Sequence, residues 1–148
     1  MSDPKTPLEL LLDNWDEDAK MNSTEPAKEL LRIPALHAKY VRKLSQYSLL
    51  TKKTDIELAR LKKRKWDYYS GRMDQDTLNK YGLKPFKFVL KGEVKDYVDA
   101  DDEILELIRK KVNYEEIVSI CNSILKELNS RTYQLRSFID WEKFISGQ

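Results

Sequence analysis

Two seams of residues spaced alternately by four and three govern what this chain can fold into. The first runs Ile33, His37, Tyr40, Leu44, Tyr47, Thr51, Thr54, Leu58, Leu61, Lys65, Tyr68. The second runs Tyr114, Ile117, Cys121, Ile124, Leu128, Arg131, Leu135, Phe138, Glu142, Ile145. That alternation is the repeat of a helix packed along one stripe, so each seam predicts a long helix. Only 4 Gly and 5 Pro stand in 148 residues, which leaves little to interrupt either one. Thr51 and Thr54 make the first seam polar at its middle. Lys65 lies on it too, with a stem long enough to keep its ammonium in water. Ile120, Leu125 and Ile139 widen the second seam, which points to a multi-helix assembly rather than a two-stranded coil.

Caps and breakers place the ends. Thr6 before Pro7 predicts a short first helix with Leu8, Leu11, Leu12 and Trp15 on one face. Asp16, Glu17 and Asp18 oppose the macrodipole at its end, so this helix needs a neighbour to hold it. Ser23 or Thr24, with Pro26 in the first turn, opens a helix carried to about Ser70. A kink or break is expected near Pro34, and Gly71 is the stop. The alternation Phe86, Phe88, Leu90, a turn at Lys91-Gly92, and the pair Val94 and Tyr97 predict a small β-hairpin. Asp101, Asp102 and Glu103 suit the start of the last long helix, with Asn113 as a point of interruption.

Charged residues are 35% of the chain and the mean hydropathy is −0.67, which is little apolar material for a compact core. The fold class is therefore mainly α. We expect an elongated protomer of two long helices, a short N-terminal helix and the small β-hairpin, completing its burial by self-association. Ile117, Cys121, Ile124, Leu128, Leu135 and Phe138 are expected to join subunits rather than pack back on the first long helix. Residues 1–98 then form a helical region with the hairpin and residues 99–148 an oligomerisation region.

Much chemistry is missing. No glycine-rich phosphate loop occurs. The single histidine, His37, is read as a packed or edge residue, and Cys121 as a small core residue. One His and one Cys make no zinc site, and the acids around Asp101 are read as complementing a helix N-terminus. No nucleophile, base and orienter stand together. We expect no enzyme, no cofactor and no metal. A single cysteine excludes an internal disulfide, and the acidic N-terminus carries no signal peptide. No segment has the apolar length to span a membrane, so a soluble intracellular protein is expected.

The net charge is only +2, but it is unevenly spread. Residues 1–25 carry seven acids and two bases, whereas residues 52–72 carry eight bases and three acids. The basic part culminates in Leu61 to Arg72, reading Leu-Lys-Lys-Arg-Lys-Trp-Asp-Tyr-Tyr-Ser-Gly-Arg. Lys62, Lys63, Arg64, Lys65 and Arg72 can meet a phosphate backbone, or form a solvated face. Trp66, Tyr68 and Tyr69 can stack on bases or pack. Trp66 and Tyr68 are read as packing. Asp67 is placed to hold the cations or to limit their affinity.

In its hexapeptide Asp67-Tyr68-Tyr69-Ser70-Gly71-Arg72, after a basic helical segment, the chain resembles the UvsY recombination mediator proteins of T-even-type phages. Those proteins carry Leu-Lys-Ala-Arg-Leu-Asp-Tyr-Tyr-Ser-Gly-Arg at a similar distance from the N-terminus. Length fits as well, as does the Asp-rich start of a C-terminal helix with a tail of Phe138, Phe144 and Gly147. Outside the motif the similarity is thin.

The resemblance implies a non-enzymatic protein that binds single-stranded DNA. It implies a ring-like homo-oligomer of six or seven subunits, joined by a C-terminal helical barrel or bundle. Its implied role is loading a RecA-like phage recombinase onto DNA covered by single-strand-binding protein. That role serves recombination, replication and repair in the cytoplasm of the infected bacterium. The family's two DNA-binding cations fall on Lys63 and Lys65. The family alanine is Arg64 here, its arginine Lys65 and its leucine Trp66; Lys65 keeps the charge but loses the planar fork. The competing reading is a helical adaptor or structural phage protein whose basic segment binds an acidic protein partner.

Overall fold

Thr6 opens the first helix as a capping box. Its hydroxyl accepts from the Glu9 amide, and the Glu9 carboxylate accepts from the Thr6 amide. The computed structural model describes residues 2–87 and 89–147. Helix α1 spans Pro7–Asp18, α2 Pro26–Tyr69, α3 Gln75–Lys80, α4 Val94–Asp99 and α5 Asp102–Ile145, with a 3-10 turn at Lys91–Glu93. Pro34 lies inside α2 and Asn113 inside α5, and both helices continue through them.

The described residues contain no strand, so the expected hairpin is corrected. Phe88, part of the alternation behind it, lies outside the described residues. Val94 and Val98 are both buried and stand four apart, and Tyr97 is three from Val94. That spacing is helical rather than period two.

The chain forms two compact units, Met1–Leu49 with Asn113–Gln148, and Leu50–Val112. These are units of packing, whereas the division expected at residue 98 is one of role, between a part that carries the basic stretch and an assembly part.

The core of the first unit is Leu11, Leu36, Tyr40, Ile117, Cys121, Ile124 and Leu128, flanked by Leu8, Trp15, Leu44 and Tyr47. Ile117, Cys121, Ile124 and Leu128, expected to face other subunits, are thus packed against the chain's own α1 and α2. Leu135 is also buried, and Phe138 is half-buried. The acidic end of α1 finds the neighbours it lacks in sequence. Arg131, itself buried, donates to the carbonyls of Asp18 (3.3 Å) and Ala19 (3.0 Å). Arg32 donates to those of Asp18 (3.0 Å) and Lys20 (2.9 Å). Cations there meet the negative end of the helix. Burial alone would raise the Asp18 carboxyl, but Lys39 and the Tyr40 hydroxyl outweigh it and hold it below its ordinary value.

The core of the second unit is Leu58, Leu61, Val94, Val98 and Ile104, with Tyr69, Val89, Leu107 and Ile108 against it. No helix of the described residues is long and apolar enough to cross a membrane.

Candidate nucleic-acid interface

Leu58 and Leu61 turn one face of α2 into the second unit's core. At 3.6 residues per turn, Arg60, Lys63, Arg64 and Asp67 must then point away from it. Together with Arg72 and Asp74 they line an open groove of about 550 Å³. Lys63 is 74% exposed and bonds the Asp67 carboxylate at 2.7 Å, one helical turn on. Arg64 lies near Glu103, at 3.7 Å. Lys62 is exposed but is not among the groove's lining residues.

Lys65 is elsewhere. Its position follows Leu58 and Leu61 on the seam, so it faces inward and only 13% of its side chain is exposed. Its ammonium stands 3.1 Å from the Asp101 carboxylate and 3.2 Å from that of Glu103. The Asp101 side chain is buried and satisfied on both oxygens. One accepts from the amides of Glu103 (3.0 Å) and Ile104 (3.2 Å), capping α5. The other accepts from the Tyr69 hydroxyl at 2.7 Å as well as meeting Lys65. Burial alone would raise the Asp101 carboxyl; the Tyr69 hydroxyl, the Ile104 amide and Lys65 together hold it below its ordinary value. Tyr69 is pushed upward, by burial first and then by the bond to Asp101.

Each residue of the hexapeptide has a place here. The Asp67 carbonyl accepts from the Arg72 amide at 2.9 Å, and the Tyr68 carbonyl from the Gly71 amide at 3.2 Å. This closure ends α2, and it needs Gly71 at φ +75°. It turns the chain so that Arg72 reaches the groove. Ser70 donates its hydroxyl to the Asp67 carbonyl at 3.3 Å. Tyr68 donates to the Lys84 carbonyl at 3.0 Å.

Tyr68 and Tyr69 pack on Phe86, with ring centroids 5.5 and 4.9 Å away, and Tyr97 joins that cluster. Both tyrosines are thus packing residues. Trp66, read from sequence as packing, is instead 37% exposed and belongs to neither core cluster. Arg60 was missed by the sequence reading. The signal for it was its i, i+3 and i+4 spacing to Lys63 and Arg64.

A protein-family model described as "Recombination, repair and ssDNA binding protein UvsY" matches residues 14–148. The chain is 23% identical to the recombination protein uvsY of Enterobacteria phage T4 over 141 residues, 95% of this chain and 98% of that one. It is similar in fold to two crystal structures of the bacteriophage T4 recombination mediator protein UvsY. In lattice type I the TM-score is 0.79 at 23% identity, over 92% of this chain and 98% of that one. In lattice type II it is 0.82 at 23% identity, over 96% and 99%.

Proposed function

The chain belongs to the UvsY family of recombination, repair and ssDNA binding proteins, and on that premise we propose that it binds single-stranded DNA through the groove at the end of α2. Arg60, Lys63, Arg64 and Arg72 meet phosphates there, and Lys65 holds the helix that carries them. The protein acts without catalysis, as a recombination mediator. It helps a RecA-like recombinase take over DNA held by single-strand-binding protein, in the cytoplasm of a phage-infected bacterium. The observation that carries the reading is the groove itself: four cations from one helix face and its capping turn converge on one open surface. Such contacts are individually modest and salt-sensitive, so a self-associated form that repeats the groove binds one strand far better than a protomer does.

Self-association into a ring-like homo-oligomer is part of this proposal. Support for it comes from α5, which has one face in the protomer's own core and leaves Tyr133, Trp141, Phe144 and Ile145 exposed. Trp141 and Phe144 stack on each other at 5.8 Å, and contiguous exposed apolar groups mark interaction surfaces.

The test is the affinity for a labelled single strand at several salt concentrations. Lys63→Ala with Arg72→Ala should weaken binding and make the log–log salt slope shallower by roughly 1.4 for the two lost contacts. An unchanged slope would place the strand elsewhere.

A further inference from the structure

Tyr81 lies outside the motif, yet Arg64 ties it to the groove. The guanidinium carbon of Arg64 is 4.5 Å from the Tyr81 ring centroid, and Nη1 is 3.4 Å from its hydroxyl. Lys80 places its ammonium 5.5 Å from the same centroid. The backbone under the ring is pinned. Tyr81 caps α3, and Gly82, at φ +64°, lets the chain close back. The Gly82 amide bonds the Asn79 carbonyl at 3.2 Å and the Leu83 amide bonds the Leu78 carbonyl at 2.9 Å. Leu78 anchors α3 by burial. Held in this way, Tyr81 is still 43% exposed. Tyr68 and Tyr69 are committed to Phe86. Among the described residues of this unit, Tyr81 is the aromatic joined to a groove cation by a cation–π contact.

We infer that Tyr81 is a stacking platform for an unpaired base, held beside the phosphate groove by Arg64. The inference rests on the reading that a phosphate backbone occupies that groove. A nucleotide carries phosphate and base on one sugar, so a strand seated on the cations must lay bases along the groove's flank. An aromatic face there takes any base, because every base has a π-face. A base paired within a duplex is already stacked on both sides and has no face to offer. The platform thus supplies a preference for single over double strands that the cations alone lack. Its fixed ring means that little side-chain freedom is lost when a base arrives.

The experiment compares three labelled ligands by anisotropy at fixed salt: an oligodeoxythymidine, an abasic strand of equal length, and a duplex. Tyr81→Leu should weaken the oligodeoxythymidine by about tenfold while abasic and duplex affinities stay within about twofold. Tyr81→Phe should match the parent on all three, and Tyr81→Trp should match or exceed it on the base-bearing strand alone. Equal losses of Tyr81→Leu on the base-bearing and abasic strands, or no loss on either, would overturn the inference. Lys63→Ala measured on the abasic strand tests the groove separately. If it leaves binding and salt slope unchanged, the phosphate reading fails and the platform fails with it. If it weakens the abasic strand while Tyr81→Leu does not distinguish the strands, the platform alone falls.

Discussion

Lys63 and Lys65 are two residues apart and live in different surroundings. Lys63 is out in solvent on a one-turn pair with Asp67, the kind of contact worth only about 0.3–0.5 kcal/mol. Lys65 is part of a buried network with Asp101 and Tyr69. Losing one partner of a buried pair costs about 3–5 kcal/mol, because the other charge is left without it. We therefore expect Lys65→Ala to lower unfolding stability by about 3 kcal/mol and Lys63→Ala by less than about 0.5 kcal/mol, measured by urea titration. Lys63→Ala should show its effect in DNA affinity instead. Asp101 adds a pH dependence. Its folded value lies below the unfolded one, so its stabilisation is complete above the ordinary Asp value of about 3.9 and is lost as pH falls through the depressed folded value. Asp101→Asn should lower stability at neutral pH and flatten its decline on the acid side, checked by thermal unfolding across that range.

At the scale of elements, the seams were legible because helical spacing is a local property. The second runs buried from Ile117 through Leu135 and then emerges at Glu142 and Ile145. The first holds from Tyr40 onward, but before it Leu36 is buried and His37 exposed. An α-helix of 3.6 residues per turn drifts off a strict four-three repeat, and here Leu36 takes the inward place that the repeat assigned to His37. The end of α2 was legible too, since Gly71 alone accepts the left-handed cap. A Cβ at Gly71 meets nothing within 4 Å, so Gly71→Ala is a test of backbone conformation without crowding. It should cost about 1–2 kcal/mol, read by urea titration. The hairpin was misread because a short alternation is weak evidence: Phe86 and Leu90 lie in irregular chain, and Val94 and Tyr97, taken for the second strand, fit a helical stripe.

At the scale of the whole molecule, each long helix contributes residues to two compact units. Periodicity showed that α5 had a broad apolar face but not what covers it. Its seam from Ile117 to Leu128 is taken by α1 and α2, while Trp141, Phe144 and Ile145 near its end are exposed; under the proposed self-association these are the residues left to join subunits. Removing residues 140–148 leaves every buried residue among the described residues of the first unit in place, since the last of them is Leu135. We expect that truncation to reduce the solution mass toward that of a protomer, by light scattering, with helix content otherwise retained. An unchanged mass would move assembly to another surface.

By itself the sequence determined the first helix, the two long helices, their caps and the basic stretch at the end of α2. Those depend on spacing and on contacts within a few residues, which a linear reading can follow. It also put Lys65 on the inward seam after Leu58 and Leu61, but with its ammonium in water. Four cations in a row lie about 100° apart around a helix, so the one that follows that seam must leave the basic face. Only the tertiary structure brought Asp101 to meet the Lys65 ammonium, which is paired there instead of reaching solvent. It also brought Arg72 and Asp74 to the open side, making a groove with Arg60, Lys63 and Arg64.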